Sequence, residues 1–321
     1  MKIVGEYGKE NLAKVYVAMM RDDKKSLIEF AESVQPPLPF EKKWVIIVST
    51  LFGCPVKCKM CDAGGTFYGR LTSDEILGQI DYLVGRHFQD HTIPVEKFKI
   101  QFARMGDPAF NPNVLDVLEK LPKTYESPGL TPCISTVAPA GNEKFFEKLI
   151  QIKKRFYSGG HFQLQFSIHT TDSGKRDKII PVKKWGFEEI ANYGERFFES
   201  GDRKITLNFA AAKDYEIEPK IIRKYFNPEF FLIKLTPLNP TNNVRKNNLV
   251  SFIDPYEPET ASGLVESFRS YGFDTILSIG EIEENMIGSN CGQFVSCFRR
   301  NPDLFSFNPQ SFFCKKLNCL W

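Results

Sequence analysis

The chain has 321 residues, enough for one large α/β domain or two small ones. Hydrophobic residues make up 42% and charged residues 25%, an ordinary globular composition, and the formal net charge of +3 suits an anionic ligand but is too small to argue for nucleic acid alone. No run of 18 apolar residues occurs, and the opening "MKIVGEYGKENLAKVYVAMM" carries charges and no apolar signal core, so neither a membrane span nor a leader is expected. The expected compartment is the reducing cytoplasm, where clustered cysteines favour metal binding or catalysis over disulfides.

In chain order, residues 1–42 read as a short leading segment of about hairpin size, ending in the proline-rich "QPPLPFEKK". "KWVIIVSTL" (43–51) is a continuous apolar run, as for a strand buried on both faces. "LTSDEILGQIDYLVGRHF" (71–88) is helical: Thr72 with Glu75 forms a capping box, and Ile76, Ile80 and Leu83 repeat at helical spacing. Further strands are expected at 97–103, 132–136, 162–168, 204–210, 230–235 and 273–279. Helices are expected between them at 113–121, 142–155, 186–199, 217–225 and 258–271. Strands alternating with helices imply βαβ units and a parallel sheet, and about seven such units suit a complete or partial (β/α) barrel over residues 43–297. The remainder, 298–321, is a Cys- and Phe-rich tail with Cys314 and Cys319, preceded by Cys297.

The first expected strand runs into "GCPVKCKMCDAGG", where Cys54, Cys58 and Cys61 are spaced C-x3-C-x2-C. Thiolates bind zinc or iron–sulfur clusters. Structural zinc takes four closed ligands, and none of the four histidines lies near the loop, whereas three thiolates leave one iron of a [4Fe–4S] cluster open. Other strands end in "RMGDPAFN" (104–111), "ISTVAP" (134–139), "FSIHTTDSGKRDKIIPVKKW" (166–185) and "LTPLNPT" (235–241), and "SNCGQF" (289–294) lies near the end. Singly these read as turns, a histidine at a strand end and a small buried thiol. All fall at strand C-terminal ends, where such barrels place their chemistry.

Taken in order, these motifs resemble the radical S-adenosylmethionine (SAM) superfamily and, within it, the RlmN/Cfr family of adenine C-methyltransferases. That family shows GC-x3-C-x2-C, "GMGEP", "STSG", "SLHAPND", "NLIPFNP" and "ACGQL". The resemblance covers about residues 40 to 297. It implies a partial (β/α) barrel with a [4Fe–4S] cluster on Cys54, Cys58 and Cys61. It also implies a SAM pocket lined by Gly106, Asp107, Pro108, Ser135, Ser167, His169 and Asn239, and a methyl-carrying thiol at Cys291. The reaction it implies is methylation of an sp2 carbon of an RNA adenine, a nucleotide, another small molecule or a peptide, with an electron donor such as flavodoxin or ferredoxin.

The chain departs from the family pattern in three ways. The accessory N-terminal region is missing or reduced. Glu281, Glu283 and Glu284 stand where basic residues are usual. Ile47 replaces a second cysteine, a role for which Cys297, Cys314 and Cys319 are the candidates. Two alternatives remain at this stage: a different radical SAM reaction on the same scaffold, and a non-catalytic zinc protein that binds a partner.

Overall fold

A computed structural model describes residues 1–34, 38–280, 282–283 and 292–300. Its centre is a ten-stranded sheet. Seven strands are mutually parallel in sheet order: β4 (Trp44–Val48), β7 (Phe98–Phe102), β8 (Leu130–Thr136), β9 (Gln163–Ser167), β10 (Ile205–Ala210), β11 (Phe231–Thr236) and β12 (Thr275–Leu277). Between them run α1 (Ser73–His87), α2 (Asn113–Thr124), α3 (Glu143–Phe156), α4 (Ser173–Ile179), α5 (Phe187–Phe197), α6 (Pro219–Tyr225), α7 (Asn242–Lys246) and α8 (Ser262–Ser270). Among the described residues no pairing joins β12 back to β4, so the barrel is partial. Each expected barrel strand and helix is present within a few residues of its expected ends. Thr72 and Glu75 make both bonds of the capping box on α1.

The leading segment differs from the hairpin expected of it. β1 (Lys2–Lys9), β2 (Ala13–Met19) and β3 (Leu27–Ser33) form an antiparallel meander, and β3 pairs with β4, extending the barrel sheet on its open side. Helix α9 (Gln293–Arg300) packs on this extension: Phe294 stacks on Tyr7 with ring centroids 4.2 Å apart, and the Val295 amide donates to the buried Glu29 carboxylate at 2.7 Å. The expected tail beyond residue 300, with Cys314 and Cys319, lies outside the described residues, as does Cys291.

Within the barrel the strands alternate. On β7, Phe98, Ile100 and Phe102 are buried against the outer helices, while Lys99 and Gln101 face inward. Among the described residues, no helix is long and apolar enough to cross a membrane.

Candidate active site

The cysteine loop is the tip of a small hairpin in which β5 (Leu51–Gly53) pairs with β6 (Phe67–Arg70). Gly53 starts it at φ +85, and a Cβ there would lie 1.7 Å from the Thr66 carbonyl, so only glycine fits. Backbone bonds from Cys54 to Thr66 (3.1 Å), Cys61 to Cys58 (3.1 Å) and Gly65 to Cys54 (3.3 Å) close the loop on itself. Three amides, those of Val56, Lys57 and Asp107, donate toward the Cys54 sulfur. Burial still pushes this thiol up to about 11, with the nearby Asp107 carboxylate adding to the effect. Burial also raises the Cys58 thiol, and neighbouring Cys54 raises it further. Amides aimed at a sulfur stabilise a thiolate once a metal supplies the opposing charge. Among the described residues no three His, Cys, Asp or Glu side chains converge on one point as ligands of a single ion do. Three thiols in one loop are a donor set that suits an iron–sulfur cluster, in which each thiolate takes a different iron.

Helix α7, directly after the Asn239 turn, clamps the loop from above. Thr241 Oγ1 donates to the Met60 carbonyl (2.8 Å), Asn243 Nδ2 to the Cys61 carbonyl (2.7 Å) and Asn247 Nδ2 to the Lys59 carbonyl (2.9 Å). In return the Asp62 carboxylate accepts from the Asn242 amide (2.9 Å) and the Asn243 amide (2.8 Å) at the start of that helix. Sequence reasoning missed Asp62, Thr241 and Asn243, because their partners are some 180 residues away; the Thr-Asn-Asn cap signal after Pro240 was the only local clue. Gly292 closes on the same loop, where an added Cβ would come within 2.2 Å of the Ala63 amide nitrogen, and Ser296 Oγ donates to the Asp62 carbonyl at 3.0 Å.

The predicted pocket residues divide into two groups. Ser135, Ser167, His169 and Asn239 line one cavity of about 480 Å³, together with Met60 and Cys61 from the cysteine loop. Gly106, Asp107 and Pro108 are not on its wall. Gly106 turns at φ +94 against Leu51, and the Asp107 carboxylate points into the protein. It accepts from the Ala109 amide (2.9 Å), the Val137 amide (2.6 Å) and Thr136 Oγ1 (2.8 Å), so it stitches the turn to the end of β8. Burial lifts this carboxyl to about 6 against the pull of those donors.

His169 is held at φ 66, and its Nδ1 accepts from the Ala210 amide at 3.0 Å. Burial, reinforced by the Arg176 guanidinium, lowers its pKa to about 3. The ring is therefore neutral near pH 7, and Nε2 carries the proton that it offers as a donor. Cys133 is buried yet lines the cavity, and Ile47 lines it too. Cys297 is buried in α9 near Tyr7.

No family model matches the chain. Over 207 residues it is 28% identical to a probable dual-specificity RNA methyltransferase RlmN of Pseudothermotoga lettingae, covering 60% of this chain and 54% of that one. Over 200 residues it is 30% identical to a probable RNA methyltransferase of Ectopseudomonas mendocina, covering 60% and 53%. The chain thus spans about half the length of these curated relatives. Among solved structures, a radical SAM methyltransferase from Sphaerobacter thermophilus superposes with a TM-score of 0.68 at 17% identity, over 91% of this chain and 80% of that one. Streptococcus suis SuiB, solved with S-adenosylmethionine, gives a TM-score of 0.50 at 13% identity, over 72% of this chain and 50% of that one. The chain has the partial (β/α) barrel fold of radical SAM enzymes and, through much of that barrel, is a sequence relative of the RlmN RNA methyltransferases.

Proposed function

We propose that this protein is a radical SAM enzyme that methylates an sp2 carbon through a cysteine-borne methyl group, as the names of its relatives suggest. The observation that carries the reading is the shared cavity: Cys61 and Met60 of the cysteine loop border the same space as Ser135, Ser167, His169 and Asn239. Cys54, Cys58 and Cys61 would hold a [4Fe–4S] cluster, which with SAM and an electron from a flavodoxin- or ferredoxin-like donor would supply radical chemistry. The chain's own residues bind, orient and shield. The serine hydroxyls and Asn239 offer donors and acceptors for the polar groups of SAM. His169 contributes a fixed Nε2–H donor and stays uncharged, so it does not repel a cationic sulfonium.

Asp107 acts through the backbone. Its carboxylate fixes the turn whose amide points at the Cys54 sulfur. Gly292 packs on the loop at Ala63. Cys291 is the proposed methyl carrier, working in a reducing compartment. The substrate is an RNA adenine, as the relatives' names indicate, or a smaller molecule.

Anaerobic reconstitution tests this reading. The expected protein binds about four irons, cleaves SAM to 5′-deoxyadenosine under reduction, and yields a Cys291 peptide heavier by one methyl group. Stoichiometric zinc without iron, or SAM cleavage with Cys291 never methylated, overturns respectively the cluster or the methyl-carrier assignment.

A further inference from the structure

Small parallel barrels usually fill their interior with layers of Val, Ile and Leu. Here the inward positions below the serines are Lys99, Gln101, Cys133, Gln165, Asn208 and Lys234. Among the described residues, no aspartate or glutamate lines this cavity. Lys99 and Lys234 come from β7 and β11, far apart in sheet order, and curvature brings them close enough to repel each other. Among the described residues, neither ammonium has a hydrogen-bond or carboxylate partner. Burial lowers the pKa of Lys234, and Lys99 and Lys43 lower it further. Lys97, just before β7, is lowered to about 8 by burial together with Arg203, Lys99 and Lys43. Gathering like charges in a desolvated space is unfavourable unless an opposite charge joins them. Structural lysines elsewhere in this chain do have such partners: the fully buried Lys153 reaches both Glu199 (2.8 Å) and Asp202 (2.6 Å). The contrast marks the barrel floor as a place for a negative charge that the described residues do not supply.

We propose that Lys99 and Lys234, framed by Gln101, Gln165 and Asn208, bind an oxyanion of the substrate, a phosphate or a carboxylate, in the barrel below the residues assigned to SAM. The inference rests on the radical SAM reading for the identity of that second ligand. The amide side chains add neutral donors on either side of the two ammoniums. A substrate seated this way enters the barrel with its anionic end first and leaves its other end toward the cysteine loop.

The test uses the full chain, reconstituted anaerobically and loaded with SAM. It is titrated with inorganic phosphate and, separately, with acetate, read by 31P and 13C line broadening. At least one probe is expected to bind saturably without displacing SAM, and Lys99→Gln/Lys234→Gln is expected to weaken it tenfold or more. Lys99→Arg/Lys234→Arg, which keeps the charge, retains most of the binding, and melting curves confirm folding of both variants. If the Gln pair unfolds, the single variants Lys99→Gln and Lys234→Gln carry the same comparison. A response to phosphate alone identifies a phosphorylated substrate; a response to acetate alone identifies a carboxylate. The proposal is overturned if neither probe binds, if the Gln variants bind like the parent, or if either probe competes with SAM. Iron content and 5′-deoxyadenosine formation are measured on the same samples, so failure of the enzyme reading registers separately from failure of anion binding.

Discussion

His169 shows how one side chain's environment sets its chemistry. Burial, with the neighbouring Arg176 guanidinium, keeps the ring neutral, and the Ala210 amide that donates to Nδ1 fixes its orientation. The folded pKa, about 3, lies below an unfolded value of about 6.5, so unfolding takes up a proton between those limits. The stabilisation from the neutral ring is therefore complete above about pH 6.5 and is lost as pH falls toward 3. At pH 4.5 the loss is on the order of 2 kcal/mol relative to pH 7. Asn tolerates the left-handed conformation and does not titrate, so His169→Asn should flatten the fall of melting temperature between pH 7 and 4.5. Parallel curves for variant and parent would show that His169 does not carry this acid sensitivity.

At the scale of elements, the cysteine loop has its shape imposed by other segments. A hairpin with glycine at Gly53 starts it, and the short helix α7 holds its carbonyls. Asp62 is the reciprocal fastener, accepting two amides at the start of that helix and the Asn242 side chain at 3.0 Å. Asp62→Ala leaves these donors to find water in a half-buried seam, a cost of about 1–3 kcal/mol. The variant is expected to melt lower and to load less iron than the parent after reconstitution, while its far-ultraviolet circular dichroism is unchanged. Full iron loading at parental stability would mean that the loop does not depend on α7.

At the scale of the molecule, the N-terminal meander and α9 close the open side of the barrel through one buried group. Glu29, fully buried on β3, accepts from Arg104 at 2.7 Å (Nη2) and 3.1 Å (Nε), from the Gly292 amide at 3.0 Å and from the Val295 amide at 2.7 Å. Three distant segments thus meet on one carboxylate. Removing one member of a buried pair costs about 3–5 kcal/mol, because the other charge stays desolvated. Glu29→Ala should lower the urea midpoint accordingly, whereas Lys9→Ala, which breaks the exposed and solvent-screened pair with Glu283, should leave it nearly unchanged. Equal effects of the two would remove Glu29 from its linking role.

The barrel was legible in the sequence because its strands and helices repeat locally: apolar runs mark β4 and β7 to β12, helical spacing marks α1, and the Thr72–Glu75 box needs only neighbours. The cysteine spacing was likewise local, and so were the motifs at strand ends that the cavity gathers as Ser135, Ser167, His169 and Asn239. The leading strands were not legible. β3 buries Glu29 and Glu32, charges that read as solvent-facing until Arg104 and His87, 75 and 55 residues away, are seen to meet them. The direction of the Asp107 carboxylate depended on amides of the following strand end, and the unpaired charge on the barrel floor depended on curvature bringing β7 and β11 together. Periodicity and spacing are carried by neighbouring residues and survive without a fold. Charge pairing, desolvation and the lining of a cavity depend on which distant side chains share a low-dielectric space, and only chain closure in three dimensions decides that.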